Sequence, residues 1–149
     1  MLLTGTFRRS VDDKQRVGIP RRLRVGLTTA EPTVLYLAPG TDGSLALYSE
    51  AEFARLGERL AAASPTGPNV RAFSRLFYAQ AQPVEVDAQG RIRVPPELAQ
   101  LAKITSEVVL VGVRDHLELW NPTSWDQYCE QRQPNYDEIA ERALGTTEG

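Results

Sequence analysis

The chain has 149 residues, 42% of them hydrophobic, and a formal net charge of −2. That suffices for one compact unit or two small intertwined ones, and the total charge does not announce nucleic acid. A single cysteine, Cys129, excludes an internal disulfide, and with a lone histidine, His116, it leaves no cluster for a zinc site. No cofactor is expected. No apolar stretch precedes the first arginines and no run is long enough for a membrane span, so a cytosolic location is expected.

Charge is unevenly placed. Arg8, Arg9, Lys14, Arg16, Arg21, Arg22 and Arg24 crowd the first 26 residues, against only Asp12 and Asp13. From 126 onward, Asp126, Glu130, Asp137, Glu138, Glu141 and Glu148 oppose Arg132 and Arg142. A basic head can bind phosphate locally although the whole chain is acidic.

The first element is a β-hairpin whose phrase occurs twice. Val11-Asp12-Asp13-Lys14-Gln15-Arg16-Val17-Gly18-Ile19-Pro20 returns as Val86-Asp87-Ala88-Gln89-Gly90-Arg91-Ile92-Arg93-Val94-Pro95. Each fits a three-residue loop that ends in a left-handed residue, where glycine is favoured. Gly90 suits that position, whereas Gln15 costs about 1 kcal/mol against glycine there. Continuing each hairpin outward from its loop sets Asp12 opposite Arg16, Ser10 opposite Gly18, Asp87 opposite Arg91 and Glu85 opposite Arg93. Val84, Val86, Ile92 and Val94 fall on the face a core would cover. On this pairing copy two is self-neutralised and Arg8 has no acidic partner. Copy one becomes the working copy and copy two a structural one. An Asp-x-x-x-Arg pair is also, in many hairpins, only an ion pair worth a few tenths to about 1 kcal/mol.

A short helical turn follows Pro20 and Pro95. Strands are expected at Val34–Leu37 and Leu45–Tyr48, echoed at Val108–Val111 and Leu117–Trp120, with a turn at Arg114-Asp115-His116. Ser49-Glu50-Ala51-Glu52 is a capping box opening a helix to about Ala63, with Phe53, Leu56 and Leu60 on one face. The segment Ser64-Pro65-Thr66-Gly67-Pro68-Asn69 breaks it, and Asn69 is placed to cap a second helix holding Val70, Phe73, Leu76 and Phe77. Asn121-Pro122 starts a helix that buries Trp125. Pro134-Asn135 ends it before a last acidic helix with Tyr136 and Ile139, and a polar tail from Gly145 is expected to be disordered. Phe53 and Trp125 stand equally far beyond the aromatics Tyr48 and Trp120, as a tandem duplication requires. The aromatics are most simply core. Apolar hairpin faces on so few strands suggest that chains intertwine, making an obligate oligomer.

The two Asp-x-x-x-Arg hairpins, the proline that follows each, Asp42-Gly43-Ser44-Leu45-Ala46-Leu47-Tyr48, Phe73-Ser74-Arg75-Leu76-Phe77 and Leu117-Glu118-Leu119-Trp120 together resemble the MraZ family, over nearly the whole chain. The resemblance implies an α+β fold of two tandem AbrB-like (SpoVT-type) motifs forming a swapped-hairpin, double-split β-barrel with connecting helices. It divides the chain into a DNA-binding motif at 6–53, connecting helices at 54–80, a structural motif at 82–125 and an acidic helix and tail at 126–149. It further implies a bacterial, nucleoid-associated transcriptional regulator, acting as a cyclic homo-oligomer on short direct repeats in double-stranded DNA upstream of division and cell-wall genes. The family's DNA-contacting arginine falls on Arg16 and its basic loop neighbour on Lys14. Gln15 departs from the usual glycine.

Arg16 is therefore assigned to base reading, because a guanidinium can bond guanine O6 and N7 together. Lys14 and Arg8 go to phosphates or base edges, and Asp12 to orienting Arg16. Arg9, Arg21, Arg22 and Arg24 are either phosphate contacts or a solvated basic face. Asp87, Arg91, Glu85 and Arg93 are assigned to structural pairs. The alternative is an antitoxin-like module that binds a protein through its acidic C-terminal segment. Enzymatic chemistry has no constellation to carry it.

Overall fold

Two hairpin loops form where their local chemistry places them, but the strands they join then part company. A computed structural model describes residues 2–63 and 66–145. Asp12 N donates to Arg16 O at 3.1 Å, and Val11 bridges Val17. Asp87 N likewise donates to Arg91 O at 2.9 Å. Beyond that first pairing, β1 (Thr6–Ser10) turns away to β7 (Glu107–Val113), with Arg8 opposite Val109 and Ser10 opposite Glu107. β5 (Gln82–Glu85) pairs instead with β3 (Val34–Pro39), setting Glu85 opposite Val34. The remaining arms, β2 (Arg16–Gly18) and β6 (Arg91–Arg93), pair with each other.

This corrects two expected facings. Ser10 does not face Gly18, and Glu85 does not face Arg93, which lies opposite Arg16. A lone two-stranded hairpin is marginal in water, whereas pairing each arm across the duplication adds strands on both sides and closes a shared core. The predicted apolar face is nevertheless the inner one: Val84, Ile92 and Val94 are buried, and Val86 packs against them.

The larger sheet is antiparallel throughout, in the order β1-β7-β8-β4-β3-β5, where β4 is Leu45–Ser49 and β8 is His116–Trp120. Each copy thus lends its first strand to the sheet half built by the other. Two short helices, α1 (Arg21–Leu27) and α4 (Pro96–Leu101), join the same core, their Leu23 and Leu98 fully buried in one cluster with Val17, Ile92, Leu35 and Leu110. The apolar hairpin faces are therefore covered within one chain. Intertwining of separate chains is not needed to shield them.

Outside the sheet, two helices follow one another in one half and one helix lies against the other half. Ser49 Oγ accepts from Glu52 N at 3.1 Å and starts α2 (Glu50–Ala62), as the capping box requires. Phe53 stacks on Tyr36, with ring centroids 4.6 Å apart. Asn121 Oδ1 accepts from Ser124 N at 3.1 Å and starts α5 (Pro122–Arg132), whose Trp125 and Tyr128 cover Trp120, Val109 and Val111. The second helix, α3 (Pro68–Gln80), is capped by Gly67 rather than Asn69. Pro68, with its φ already helical and no N–H to satisfy, takes the first position and draws Asn69 inside. A 3-10 turn at Gln133–Asn135 leads into α6 (Tyr136–Gly145), so Gly145 ends a helix; the rest of the expected tail lies outside the described residues. Among the described residues no helix is long and apolar enough to cross a membrane.

His116 stands at the seam between the two halves, where β8 meets β4. It opens β8 and stacks on Tyr48 at 5.2 Å. Glu118 Oε2, 3.9 Å from Nε2, and Asp115 Oδ1, 2.8 Å from Nδ1, raise its pKa above the ordinary histidine value. A raised folded value means protonation favours the fold. That stabilisation is complete below the unfolded pKa of about 6.5 and is lost as pH rises through the folded value. In urea denaturation, His116→Gln is expected to destabilise the protein more at pH 5.5 than at pH 8.5, and an equal effect at both would contradict the pairing.

Candidate nucleic-acid interface

The β2–β6 ribbon alternates strictly. Val17 and Ile92 face each other inward, 0% and 1% exposed. The other face then carries Arg16, Gly18, Arg91 and Arg93, with Arg16 opposite Arg93 and Gly18 opposite Arg91. A Cβ on Gly18 would meet nothing within 4 Å, so that side of the ribbon is open.

Each loop aspartate is the organiser of its hairpin. Asp12 Oδ1 accepts from Lys14 N at 2.9 Å and Arg16 N at 2.8 Å, and its Oδ2 accepts from Arg16 Nε at 2.8 Å. Asp87 repeats this with Gln89 N, Arg91 N and Arg91 Nε at 2.9, 2.9 and 3.0 Å. The backbone N–H of the following arginine, reinforced by its guanidinium, holds both carboxyls below the usual carboxylate range. Tying down Nε fixes the plane of each guanidinium and leaves its two terminal nitrogens as the outward fork. For Arg16 those nitrogens have no hydrogen-bond partner among the described residues.

The two arginines are nearly equivalent. Arg16 and Arg91 side chains are 31% and 30% exposed, and each is held by its own aspartate in the same way. Arg91 differs in one respect: its Nη1 also lies 3.9 Å from Asp12 Oδ2, so Asp12 draws both arginines to one place. The expected shielding of Arg91 by a Glu85–Arg93 pair does not occur. Arg93 instead joins the basic face, a placement the period-two pattern Arg91-Ile92-Arg93 already signals. Copy one adds Lys14 and Asp13 in its loop where copy two has Gln89 and Ala88.

The left-handed loop residues explain the odd glutamine. Gln15 has φ +64° and Gly90 φ +79°. Each carbonyl accepts from the other copy, Gln15 O from Val94 N at 2.8 Å and Gly90 O from Ile19 N at 2.9 Å. A Cβ on Gly90 would come within 2.7 Å of the Arg24 guanidinium, which donates through Nε to Ile19 O at 2.9 Å. The position equivalent to Arg24 in α4 is the small Ala99, which lines the same cleft as Gln15. The two sites exchange bulk: a glycine beneath an arginine, a glutamine beside an alanine. Gly90→Ala is expected to destabilise by about 1–2 kcal/mol from backbone strain alone. Gln15→Gly should stay within about 0.5 kcal/mol of the parent, since relieved strain is offset by a freer unfolded chain. Urea denaturation of both variants reads the difference.

Arg8 is not unpaired: its Nη2 donates to Asp126 Oδ1 on α5 at 2.6 Å. Both side chains are more than half exposed, so the pair is weak and screened by salt. Arg9 and Arg22 stand over the Phe7 ring at 5.7 and 5.4 Å, and Arg22 Nη2 donates to Thr4 O at 3.1 Å. Arg24 is a structural brace. Arg21 is exposed on α1.

Comparison with known proteins matches this duplicated arrangement. The family described as "MraZ protein, putative antitoxin-like" matches twice, over residues 2–76 and 77–147. A transcriptional regulator MraZ from Heliobacterium modesticaldum is 36% identical over 143 residues, covering 96% of this chain and 97% of its own length. Proteins of the same name from Desulforamulus reducens and Carboxydothermus hydrogenoformans are 34% and 36% identical, each over 96% of this chain and over 98% and 97% of their own lengths. With both halves matched and relatives similar from end to end, the chain belongs to the MraZ family.

Proposed function

We propose that this protein is a transcriptional regulator that binds double-stranded DNA in a sequence-specific manner and performs no catalysis. The observation that carries the proposal is the outward face of the β2–β6 ribbon, where Arg16, Arg91 and Arg93 stand together with two guanidinium planes fixed by aspartates. A two-stranded ribbon fits the major groove, about 12 Å wide, and an arginine fork bonds guanine O6 and N7 there. Arg16, with Asp12 orienting it, reads base edges. Lys14 at the loop tip takes a phosphate or base edge, and Arg91 and Arg93 take phosphates. Arg8, Arg9 and Arg22 widen the basic field that the flanking backbone meets.

One hairpin supplies only about 1–3 kcal/mol of discrimination per good bidentate contact, too little to select one promoter. The reading therefore includes a cyclic homo-oligomer of swapped-hairpin barrels, engaging direct repeats upstream of division and cell-wall genes in the cytoplasm. The relatives' shared name supports the regulatory role, and the family's double match supports the two tandem motifs. A fluorescence-anisotropy titration against the DNA upstream of the native gene tests it. Tight binding that falls steeply with salt, one counterion term per phosphate contact, is expected. Equal affinity for scrambled DNA of the same length would overturn it.

A further inference from the structure

The loops that carry Arg16 and Arg91 are built alike but held unequally. In each, the left-handed residue donates its N–H back to the loop aspartate, Gln15 N to Asp12 O at 3.0 Å and Gly90 N to Asp87 O at 2.9 Å. Its carbonyl then accepts from a backbone N–H of the other copy, that of Val94 or Ile19. The Gly90 loop has a further support. Arg24, partly buried on α1, donates Nε to Ile19 O at 2.9 Å, so the residue that holds Gly90 O is itself held. Nε, Cζ and Nη2 of the same guanidinium lie 2.7, 2.7 and 3.0 Å from where a Cβ on Gly90 would stand. Glycine has the widest backbone freedom of any residue, and here the space its missing side chain leaves is filled by a group that restricts it.

The Gln15 loop has no such support. The residue at Arg24's place after Pro95 is Ala99, whose methyl has nothing to donate to Val94 O. An open cleft of about 590 Å³ lies there, lined by Asp12, Asp13 and Gln15 of the loop and by Ala99, Gln100 and Thr105 of the second copy. A loop packed on a hydrogen-bonded guanidinium has less room to move than one beside open space.

We propose that Arg24 is a positioning residue for DNA binding. It fixes the second loop, so that Arg91 meets the duplex in a set place. The first loop, carrying its Asp12–Arg16 fork as a unit beside the cleft, adjusts to the base edge. This rests on the DNA-binding reading of the ribbon and divides the work within it. A group already held in its bound position loses less freedom on binding, so the fixed loop contributes affinity. The adjustable loop gives up its freedom on contact, and its arginine engages only where a base edge answers it.

Hydrogen exchange of the free full-length protein tests the brace without DNA. In the parent, the Gly90 amide should be about tenfold or more better protected than the Gln15 amide, after correction for intrinsic rates. Arg24→Ala should remove that excess and leave Gln15 unchanged, with circular dichroism reporting the parent fold. Fluorescence anisotropy then tests the consequence. Arg24→Ala should lower affinity for cognate and scrambled duplexes alike and reduce the salt slope by up to about one. In an Arg91→Ala background it should change neither, because the group it positions is gone. Arg24→Lys keeps the charge but lacks the planar group beneath Gly90, and should not restore affinity. If the two amides are equally protected in the parent, or Arg24→Ala leaves them unequal, there is no brace and this inference alone falls. If Arg24→Lys binds as the parent does, or Arg24→Ala weakens the Arg91→Ala protein as much as the parent, Arg24 is itself a phosphate contact and not a positioning residue. If the parent binds no DNA, the DNA-binding reading falls and takes this role with it, whatever the exchange shows.

Discussion

Lengthening the spacer between two DNA boxes by about half a helical turn, ~5 bp, is expected to collapse binding to an array. Hairpins repeated around a ring meet the same face of the duplex only when their boxes recur every 10–10.5 bp or so. Linked sites of this kind gain about 10²–10⁴-fold over a single site through effective concentration alone. A half-turn insertion carries the second box to the opposite face, and that gain is lost. A full-turn insertion restores the face and should recover part of it. Electrophoretic mobility shifts on a spacer series check this. If one isolated box binds as tightly as the array, the multivalent reading is wrong.

Arg16→Ala is expected to abolish specific binding while leaving fold and assembly intact. One lost bidentate contact costs about 1–3 kcal/mol, and in an array the loss recurs in every engaged subunit. Arg93→Ala, by contrast, should weaken binding to all sequences alike and reduce the salt slope by about one. The near-equal exposure of Arg16 and Arg91 removes the earlier ground for treating Arg91 as purely structural. Arg91→Ala is therefore expected to lower DNA affinity too, by the smaller, sequence-independent amount of a phosphate contact. Anisotropy with cognate and scrambled duplexes separates the two kinds of loss.

What the sequence disclosed was what local chemistry decides. A loop of three residues, an aspartate that accepts its backbone donors, and a left-handed closing residue need no distant partner, so both hairpin loops form where the repeated phrase places them. The capping box at Ser49 and the Asn121-Pro122 start are local in the same sense. Strand partners were not legible, because β1 holds a single apolar residue, Phe7, and so carries no alternation that would choose between its own hairpin arm and β7. Only the closed core, with each copy lending a strand to the other, prefers the second. The same step hid Arg93, placed beside an imagined Glu85, and it hid the Arg8–Asp126 pair, whose residues lie 118 positions apart. Gln15 looked like a defect until the cleft beside Ala99 showed what the missing glycine would have accommodated.

A double-mutant cycle across the protein–DNA interface tests most directly whether Arg16 reads a base. Affinities would be measured for the parent and Arg16→Ala, each against the native box and boxes in which one G·C pair at a time is replaced. The account predicts that one replacement weakens the parent by about 1–3 kcal/mol per box and leaves Arg16→Ala unaffected, since the contact is already gone. If every replacement weakens both proteins equally, Arg16 touches no base, and the ribbon is not the reading surface.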